Sequence, residues 1–516
     1  MYCAARRPGM SEKEKTISIN HVDVEDPGIK KRNLWFYPLG TVGRDMIYTM
    51  FTSFIFLYVL YTKELTDGQV VAITMIMVAA RIFDAFNDPI MGNIIERTRT
   101  KWGKFKPWLL AGSLSTSIVV YLAFDTRFTG WAFVTFFGII YFLYSITYTM
   151  NDISYWGMVP AVSRTSDSRN QFTARATLFA GIGGTLAGLL IPMFTAGALQ
   201  LGGNASTAYG IIALAVAILS PLFVTFTLLG VKENRDDMEK PADRVSFKLI
   251  ADTIFGNDQL RWMVLIYLLH QIANNLIIGG IGANYVYFRY GYEGGLYSLF
   301  STIGMAATAF LMIFYPAISR KLSRKTFLKI LLYVAIAGCI LMLISGLVMP
   351  AIMAAFWVLT IGYMLLAFGL YGYHLVLMIS IFNTVEYNEL KKGSRREGII
   401  TSIRPFITKL GCALVVVFTS LCYLLFRVTD YTNQIAGFEQ AANQYLITTE
   451  MKNAEIANVI QNVGKGQSIG MLLFMVIVPF VLLLTSYLLY KHFYKLDEDK
   501  YAEIIKELEN RNKTAE

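Results

Sequence analysis

Long apolar runs separated by short polar segments recur along the chain from residue 34 to residue 492. A helix of about 20 mostly apolar residues is long enough to cross a hydrocarbon core of roughly 30 Å. The pattern predicts twelve membrane-spanning helices, at residues 34–62, 70–97, 108–124, 131–162, 171–199, 208–231, 262–288, 296–318, 327–349, 351–385, 399–426 and 468–492.

The composition agrees with an all-α polytopic membrane protein. The 516 residues are 55% hydrophobic and 16% charged, which is too apolar for a soluble chain of this length. The net charge of +10 comes from basic residues dispersed among short loops, so it does not indicate a nucleic-acid partner. The four cysteines have no metal-like spacing, and no nucleotide-binding or zinc-protease motif occurs. We therefore predict a protein that is not an enzyme and holds no cofactor.

Basic residues are concentrated in every second loop. They follow spans two, four, six, eight and ten, whereas an intervening loop such as 200–207 contains no Lys or Arg. The positive-inside rule therefore predicts a multi-pass protein of the plasma (inner) membrane with both termini in the cytoplasm. Residues 1–32 are polar, so no apolar signal sequence is expected before the first span.

The longest basic connection divides the spans into two sets of six. We predict five segments: an N-terminal tail (1–33), a six-helix bundle (34–231), a middle loop (232–261), a second six-helix bundle (262–492) and a C-terminal tail (493–516). The long outer connection at residues 427–467 is predicted to be an amphipathic helical cover over the outer face.

The second span carries three charges on one helix face. Arg81 precedes Asp84 by three residues and Asp88 follows by four, so neighbouring Cβ atoms lie about 5 to 6 Å apart. At about 1.5 Å per residue, Asp88 lies roughly 13 Å and Asp84 roughly 20 Å from the basic end of the helix at Arg97. The two carboxylates therefore bracket the middle of the membrane.

Other spans place charge at a comparable depth, at Asp45, Asp152 and Lys409. A charge at mid-bilayer costs about 2.5 to 3.5 kcal/mol on insertion scales, so we expect these side chains to converge on an internal polar cavity. The simpler alternative is a set of ion pairs that only stabilise the helices: Arg81–Asp84, Arg44–Asp45 and Arg175–Asp152.

Two carboxylates that are close in a low dielectric repel one another, and a bound Na⁺, Li⁺ or proton relieves the repulsion. The Asn87 amide and the Thr149 hydroxyl could complete an oxygen shell for such a cation. Tyr148, Tyr155 and Trp156 could stack on a sugar ring, although helix packing is the simpler interpretation of each. The segment HQIANN, residues 270–275, is polar enough to line the same cavity.

The segment RIFDAFNDPIMGNIIERTRTKWGKFKPW, residues 81–108, closely resembles the signature of the glycoside-pentoside-hexuronide:cation symporters, the melibiose permease family of the major facilitator superfamily. The resemblance extends through GRDM (43–46), TYTMNDISYWGMVP (147–160), NDQL (257–260), NTVEYNELKKGSRREG (383–398) and RPFITKLGCA (404–413). It covers the membrane domain and implies the major facilitator fold, with twelve helices in two six-helix halves.

The resemblance implies a cation site at Asp84 and Asp88, with Asn87 and Thr149 nearby. It implies sugar contacts at Arg44, Asp45, Asp152, Trp156, Arg175 and Lys409, and we add Tyr148 and His374 as candidates. Glu386 matches a coupling or gating carboxylate, and Arg81 is expected to act as a counter-ion or gate. His374 and Pro405 stand where melibiose permease has tryptophan and threonine, so this half of the sugar site is expected to differ.

The expected function is sugar:cation symport by alternating access, driven by a Na⁺ or H⁺ gradient. The expected partners are a small sugar, the coupling cation (Na⁺, Li⁺ or H⁺) and the lipid bilayer, and the protein is expected to act as a monomer. The alternatives are a cation-coupled symporter of another amphipathic solute, such as a lysolipid, and a transport-inactive sugar sensor.

Overall fold

The computed structural model describes residues 24–233, 247–393 and 396–515. Most of these residues are helical, because inside a bilayer the backbone must satisfy its own hydrogen bonds. The helices are α1 (Pro27–Thr62), α2 (Asp67–Arg97), α3 (Lys106–Phe124), α4 (Gly130–Gly157), α5 (Val159–Val162), α6 (Ser166–Thr195), α7 (Ala205–Gly230), α8 (Phe247–Gly256), α9 (Asp258–Asn275), α10 (Gly282–Tyr290), α11 (Gly294–Lys321), α12 (Arg324–Leu347), α13 (Met353–Lys392), α14 (Glu397–Leu425), α15 (Val428–Asn443), α16 (Thr449–Gln461), α17 (Lys465–Phe493) and α18 (Glu498–Ala515). Residues 1–23 of the predicted N-terminal tail and 234–246 of the predicted middle loop lie outside the described residues.

Each predicted span coincides with one helix or with two consecutive helices. By length and apolar content, ten helical segments of the described chain could cross a membrane, and they correspond to ten of the predicted spans. The eighth predicted span is α11, a single helix of 28 residues. The remaining span, the seventh, is interrupted.

The seventh span contains a break that the apolar pattern does not predict. α9 ends at Asn275, a π-helical turn spans Ile277–Ile281, and α10 continues from Gly282. Gly280 has a φ of 122°, which favours glycine, and a Cβ there would lie 2.8 Å from the hydroxyl oxygen of Tyr423 on α14. The prediction of one continuous helix is wrong here, because a glycine in an apolar run gives no sign of whether it bends the backbone.

The spans form two six-helix halves. In the first half, α1 packs against α6 and α7, and α4 packs against α2 and α3. In the second half, α12 packs against α13 and α17, and α9 packs against α14 and α17. Between the halves, α2 packs against α14 and α6 packs against α11.

The start of α1 and the end of α17 lie on the same face of the helical domain. α1 and α14 end on the same side, where α15 contacts both of them. Because consecutive spans alternate in direction, the start of α1 and the end of α17 lie on the opposite side. We call these two sides the hairpin face, which carries residues 427–467, and the terminal face.

The connection at residues 427–467 covers the hairpin face as predicted, but it forms two helices, α15 and α16. The chain turns between them, where Tyr445 has a φ of 58° and Thr448 caps α16 by accepting a hydrogen bond from the Met451 N–H. On the terminal face, α8 and α18 are helices where only a loop and a charged tail are predicted. α18 packs against α13 and buries Ile504, which explains why a charged segment is helical there.

Candidate functional site

A cavity of about 390 Å³ lies between the two halves. Its walls in the first half are Arg44, Asp45, Tyr48, Arg81, Asp84, Tyr144, Ser145, Tyr148, Thr149 and Asp152. Its walls in the second half are Tyr267, Gln271, His374, Arg404, Pro405, Thr408, Lys409 and Cys412. Most of the predicted intramembrane charges therefore line one polar cavity, as their depth along the helices predicts. Asp88 is not among the lining residues, but it is paired with Lys409, which is.

Helices α2 and α4 face each other in register at two carboxylates. Asp84 and Asp88 are four residues apart, and Ser145 and Thr149 have the same spacing, so each pair extends over about one helical turn. The Ser145 hydroxyl donates a hydrogen bond to Asp84 Oδ1, and Thr149 Oγ1 donates to Asp88 Oδ1 over 3.1 Å. Together these four side chains offer the oxygen ligands that a hard cation prefers.

Each of these carboxylates also has one basic partner. Arg81 Nη1 lies 3.6 Å from Asp84 Oδ2, and both residues belong to α2. Lys409 Nζ, on α14, forms a hydrogen-bonded ion pair with Asp88 Oδ2. Asp84 therefore has its partners within the first half, whereas Asp88 connects the first half to the second.

Arg44 organises a second charge cluster in the cavity wall. Its side chain is 4% exposed, with Nη2 2.8 Å from Asp45 Oδ2 and Nη1 2.7 Å from Asp152 Oδ1. The guanidinium carbon also lies 5.0 Å from the ring centres of Tyr155 and Trp156. Because the Asp152 side chain is 37% exposed, this carboxylate keeps acceptor capacity toward the cavity.

Aromatic rings form the remaining surface of the cavity. Tyr148 stacks on Tyr144 with a ring-centre distance of 5.4 Å and lies 5.1 Å from Tyr48. On the opposite wall, the ring of His374 lies 5.6 Å from that of Tyr267. A sugar has apolar C–H faces and many hydroxyl groups, so aromatic walls beside charged hydrogen-bonding groups suit it.

Two predicted sugar contacts lie outside the walls of this cavity. Arg175 donates a hydrogen bond to the Leu34 carbonyl over 3.3 Å, and its guanidinium lies over the Trp35 ring. Arg175 is therefore not the partner of Asp152, because Arg44 occupies that position. Trp156 lies behind Arg44, so a contact between its ring and a sugar remains a prediction, as does the contact predicted for Arg175.

Two further candidates of the predicted site also lie away from the cavity walls. Asn87 is 8% exposed, and its amide nitrogen donates to the Ser145 carbonyl over 3.3 Å, so that nitrogen contributes to the packing of α2 on α4. Glu386 is half-buried on α13, six residues before the helix ends at Lys392. This position near the terminal face is compatible with a gate, and the gating role remains a prediction.

Several cavity residues are absent from the predicted site. Ser145 contacts Asp84, and its spacing of four residues from Thr149 is the signal that identifies it. Gln271 donates a hydrogen bond to Thr408 over 3.0 Å, and the polar segment at residues 270–275 already favours its place in the wall. Arg404 lies one helical turn before Thr408 on α14, and no spacing rule singles it out.

Polar contacts join the two halves at the hairpin face. The Tyr61 hydroxyl donates to Asn284 Oδ1 over 2.5 Å. Asn433 of α15 donates to the Leu65 carbonyl over 2.7 Å and accepts from the Leu65 N–H over 2.9 Å. Tyr61 thus attaches α1 to α10, and α15 is attached to Leu65 just beyond the end of α1.

A buried ion pair holds the α15–α16 hairpin on the first half. The side chains of Glu439 and Lys452 are each 1% exposed, and their charged atoms lie 3.4 Å apart. Glu439 accepts hydrogen bonds from the Ala205 N–H over 2.7 Å and from Gln200 Nε2 over 3.0 Å. Lys452 donates to the Gly203 carbonyl over 2.9 Å. The connection between α6 and α7 is therefore fastened to the hairpin.

Two helical halves around a charged central cavity define a membrane transporter. Residues 36–498 match the family described as MFS/sugar transport protein, and the chain belongs to that family. The predicted family relationship and the all-α major facilitator fold are thereby confirmed.

Similar proteins of known name are carriers of small solutes. The raffinose carrier protein of Pediococcus pentosaceus is 27% identical over 92% of this chain and 70% of its own length. A lactose permease of Lactobacillus delbrueckii subsp. bulgaricus is 29% identical over 92% of this chain and 72% of its own length. Among solved structures, a D-xylose-proton symporter has a TM-score of 0.56 at 12% identity and covers 85% of this chain and 99% of its own, which supports the fold alone.

Proposed function

We propose that this protein transports a sugar or glycoside together with a cation, by exposing the central cavity alternately to the two sides of the membrane. Membership of a sugar-transport family and the similarity to raffinose and lactose carriers support the substrate class. The observation that carries the coupling is the ion pair between Asp88 and Lys409, because it joins the carboxylate pair of one half to the other half.

A cation that binds between Asp84 and Asp88 competes with the Lys409 ammonium for the same carboxylate. Binding of Na⁺ or Li⁺, or protonation of Asp88, weakens the contact between α2 and α14 and releases Lys409 toward the cavity that it lines. The cation thereby changes both the relative stability of the two conformations and the charge that the sugar meets. A ligand shifts such an equilibrium only by its differential affinity for the two conformations, and this contact supplies the difference.

The sugar binds between the aromatic walls, with hydroxyl groups at the exposed oxygen of Asp152. Arg44 holds that carboxylate in place from behind, because it is bridged to both Asp152 and Asp45. Lys409 becomes a second hydrogen-bond donor for the sugar once the cation has replaced it at Asp88. Tyr148 offers an apolar ring face between these polar groups.

The terminal face lies in the cytoplasm and the hairpin face lies outside, in agreement with the basic loops at the terminal face. Because contacts such as Tyr61–Asn284 join the halves at the hairpin face, we assign this conformation to the inward-facing side of the transport cycle. A single chain supplies both halves of the cavity, and the monomer is therefore the transporting unit.

Proteoliposomes with imposed Na⁺ and pH gradients test the proposal on a panel of galactosides, raffinose-type oligosaccharides and glucuronides. The wild-type protein is expected to accumulate at least one of these sugars against its concentration gradient. Asp88→Asn removes the charge that binds the cation and Lys409. This variant is expected to lose uphill accumulation of sugar but to keep transport of sugar down its concentration gradient.

Asp125→Asn is the matched control, because Asp125 is an exposed carboxylate at the end of α3 whose Oδ2 accepts a hydrogen bond from Tyr121. This variant is expected to accumulate sugar like the wild type. Uphill accumulation by Asp88→Asn would show that the cation site is assigned wrongly. If the protein transports a lysolipid and none of the sugars in the panel, its substrate is an amphipathic lipid and not a sugar.

A further inference from the structure

A small slot lies between the terminal-face ends of α12 and α17. None of the residues that line it lines the central cavity. Its volume is about 130 Å³, and its apolar walls include Leu328, Tyr487, Tyr490 and Tyr494. Nothing in the transport mechanism proposed above uses this slot.

The slot is surrounded by more basic than acidic side chains: Arg324, Lys325, Lys329, Lys491, Asp497 and Glu498. Both acidic groups are already paired with neighbours. Lys325 Nζ lies 2.8 Å from Asp497 Oδ2, and Arg324 Nε lies 3.3 Å from Glu498 Oε1. Four basic minus two acidic groups leave a net charge of +2 around the slot.

The excess charge is that of Lys329 and Lys491. Both side chains are exposed, and neither has a carboxylate within ion-pair distance in the part of the chain that the structure describes. Lys329 lies five residues after the start of α12, and Lys491 lies two residues before the end of α17. At about 1.5 Å per residue, both are within roughly 8 Å of the helix ends, where a lysine reaches the lipid headgroup layer.

The same helix faces become apolar toward the middle of the membrane. Tyr333 is four residues from Lys329 on α12 and is 69% exposed, and Leu488 is three residues from Lys491 on α17 and is 53% exposed. Val481, two turns further along α17, is 50% exposed. The surface thus has a cationic end at headgroup depth and exposed apolar side chains beyond it toward the middle of the membrane.

We propose that this surface is a binding site for an anionic phospholipid, with the headgroup phosphate between Lys329 and Lys491 and an acyl chain along α12 and α17. Two lysines without acidic partners complement a phosphodiester that carries a net negative charge, and they discriminate against a zwitterionic headgroup. The exposed apolar side chains on α12 and α17 favour a lipid over a soluble phosphate, because only a lipid has an acyl chain to pack against them.

Native mass spectrometry of the detergent-purified full chain, titrated with phosphatidylglycerol and with phosphatidylcholine, tests this proposal. The wild type is expected to bind phosphatidylglycerol at least about 5-fold more tightly than phosphatidylcholine. The double variant Lys329→Gln/Lys491→Gln is expected to lose that preference. The control, Lys101→Gln/Lys506→Gln, removes the same charge from exposed terminal-face positions and is expected to keep it.

An unchanged preference in Lys329→Gln/Lys491→Gln would overturn the proposal, and so would a wild type that does not distinguish the two lipids. Displacement of phosphatidylglycerol by millimolar glycerol 3-phosphate would assign the slot to a soluble phosphate instead. Crosslinking of the wild-type protein with a photoactivatable phosphatidylglycerol is a second test. It needs no variant, so it does not depend on whether a variant folds. Its crosslinks are expected in peptides 324–333 and 481–494, and crosslinks confined to other helices would contradict the site.

Discussion

At the residue scale, the two carboxylates of α2 have different partners and therefore different expected roles. Asp84 is held within the first half by Arg81 and Ser145. Asp88 contacts Thr149 in the same half and Lys409 in the other. Substitution of Asp84 is thus expected to disturb the site itself, whereas substitution of Asp88 also changes how the halves are held together.

Thr149→Ala tests whether the α4 hydroxyl belongs to the cation site. A hydrogen bond to a charged group contributes about 1.5 to 3 kcal/mol, so loss of this oxygen is expected to raise the cation concentration for half-maximal uptake roughly 10- to 100-fold. Thr147→Ala is the control, because the Thr147 hydroxyl donates only to the Tyr144 carbonyl within the same helix. An unchanged cation requirement in Thr149→Ala would remove this residue from the site.

Glu25 makes the stability of the terminal face depend on pH. Desolvation by burial raises the pKa of its carboxyl, but hydrogen bonds from Ser168, the Arg164 N–H and Lys30 outweigh this effect and lower the pKa from 4.5 to about 2. Because the pKa is lower in the folded state, the stabilisation is fully present above about pH 4.5 and is lost as the pH falls toward 2.

Thermal unfolding of the solubilised protein between about pH 5 and pH 3 measures this contribution. The wild type is expected to lose more stability over that range than Glu25→Gln, which has no charge to titrate. Glu509→Gln, at an exposed position on α18, is expected to keep the wild-type slope. If Glu25→Gln and the wild type have the same slope, the hydrogen bonds of Glu25 do not stabilise the folded state.

The sequence predicts the shared helix face of Asp84 and Asp88 and the neighbouring Thr149, but neither the Ser145 contact nor the partner of Lys409. Helix geometry alone places Asp84 and Asp88 on one face, and the matched spacing on α4 follows from the same rule. The partner of Lys409 depends on the rotation of α14 against α2, which residue spacing does not determine. The sugar contact of Lys409 stays a prediction, and the structure shows in addition an ion pair with Asp88 that the spacing does not reveal.

At the element scale, a buried ion pair fastens the α15–α16 hairpin to the connection between α6 and α7. The Glu439–Lys452 pair is buried, and removal of one charge leaves the other uncompensated. Breaking a buried pair in this way costs about 3 to 5 kcal/mol. We expect Glu439→Gln to lower the free energy of unfolding by an amount of this order, measured by SDS-induced unfolding in mixed micelles.

The double variant Glu439→Gln/Lys452→Met removes both charges and is expected to recover part of that loss. Asp430→Asn is the control, because it breaks an exposed pair with Arg427 in the same hairpin and should cost less than about 1 kcal/mol. Equal effects of Glu439→Gln and Asp430→Asn would mean that burial of the first pair has no energetic consequence.

Helix positions in this protein are largely predictable because a span must supply about 20 apolar residues. Departures occur where that requirement does not apply. The turn at residues 277–281 lies within an apolar run, and the close approach of Tyr423 to Gly280 is a tertiary contact that the run does not reveal. α8 and α18 lie outside the spans, so their helical form depends on packing against the terminal face.

At the scale of the whole molecule, the proposed mechanism couples cation and sugar binding through the Asp88–Lys409 contact between the halves. Cation occupancy of Asp88 is expected to favour sugar binding, and sugar is expected to favour cation binding by the same factor, because coupling between two binding sites is reciprocal. The proposed lipid site on α12 and α17 belongs to the second half alone and shares no residue with the cavity walls, so its loss should leave this reciprocity intact.

The most direct test of the account is equilibrium binding of the transported sugar to the purified protein, with and without the coupling cation. The account predicts that Na⁺, Li⁺ or a lowered pH tightens sugar binding by about 5-fold or more in the wild type, and that Asp88→Asn binds sugar with an affinity independent of all three. A wild-type sugar affinity that does not change with any of these cations would contradict the proposed coupling through Asp88 and Lys409.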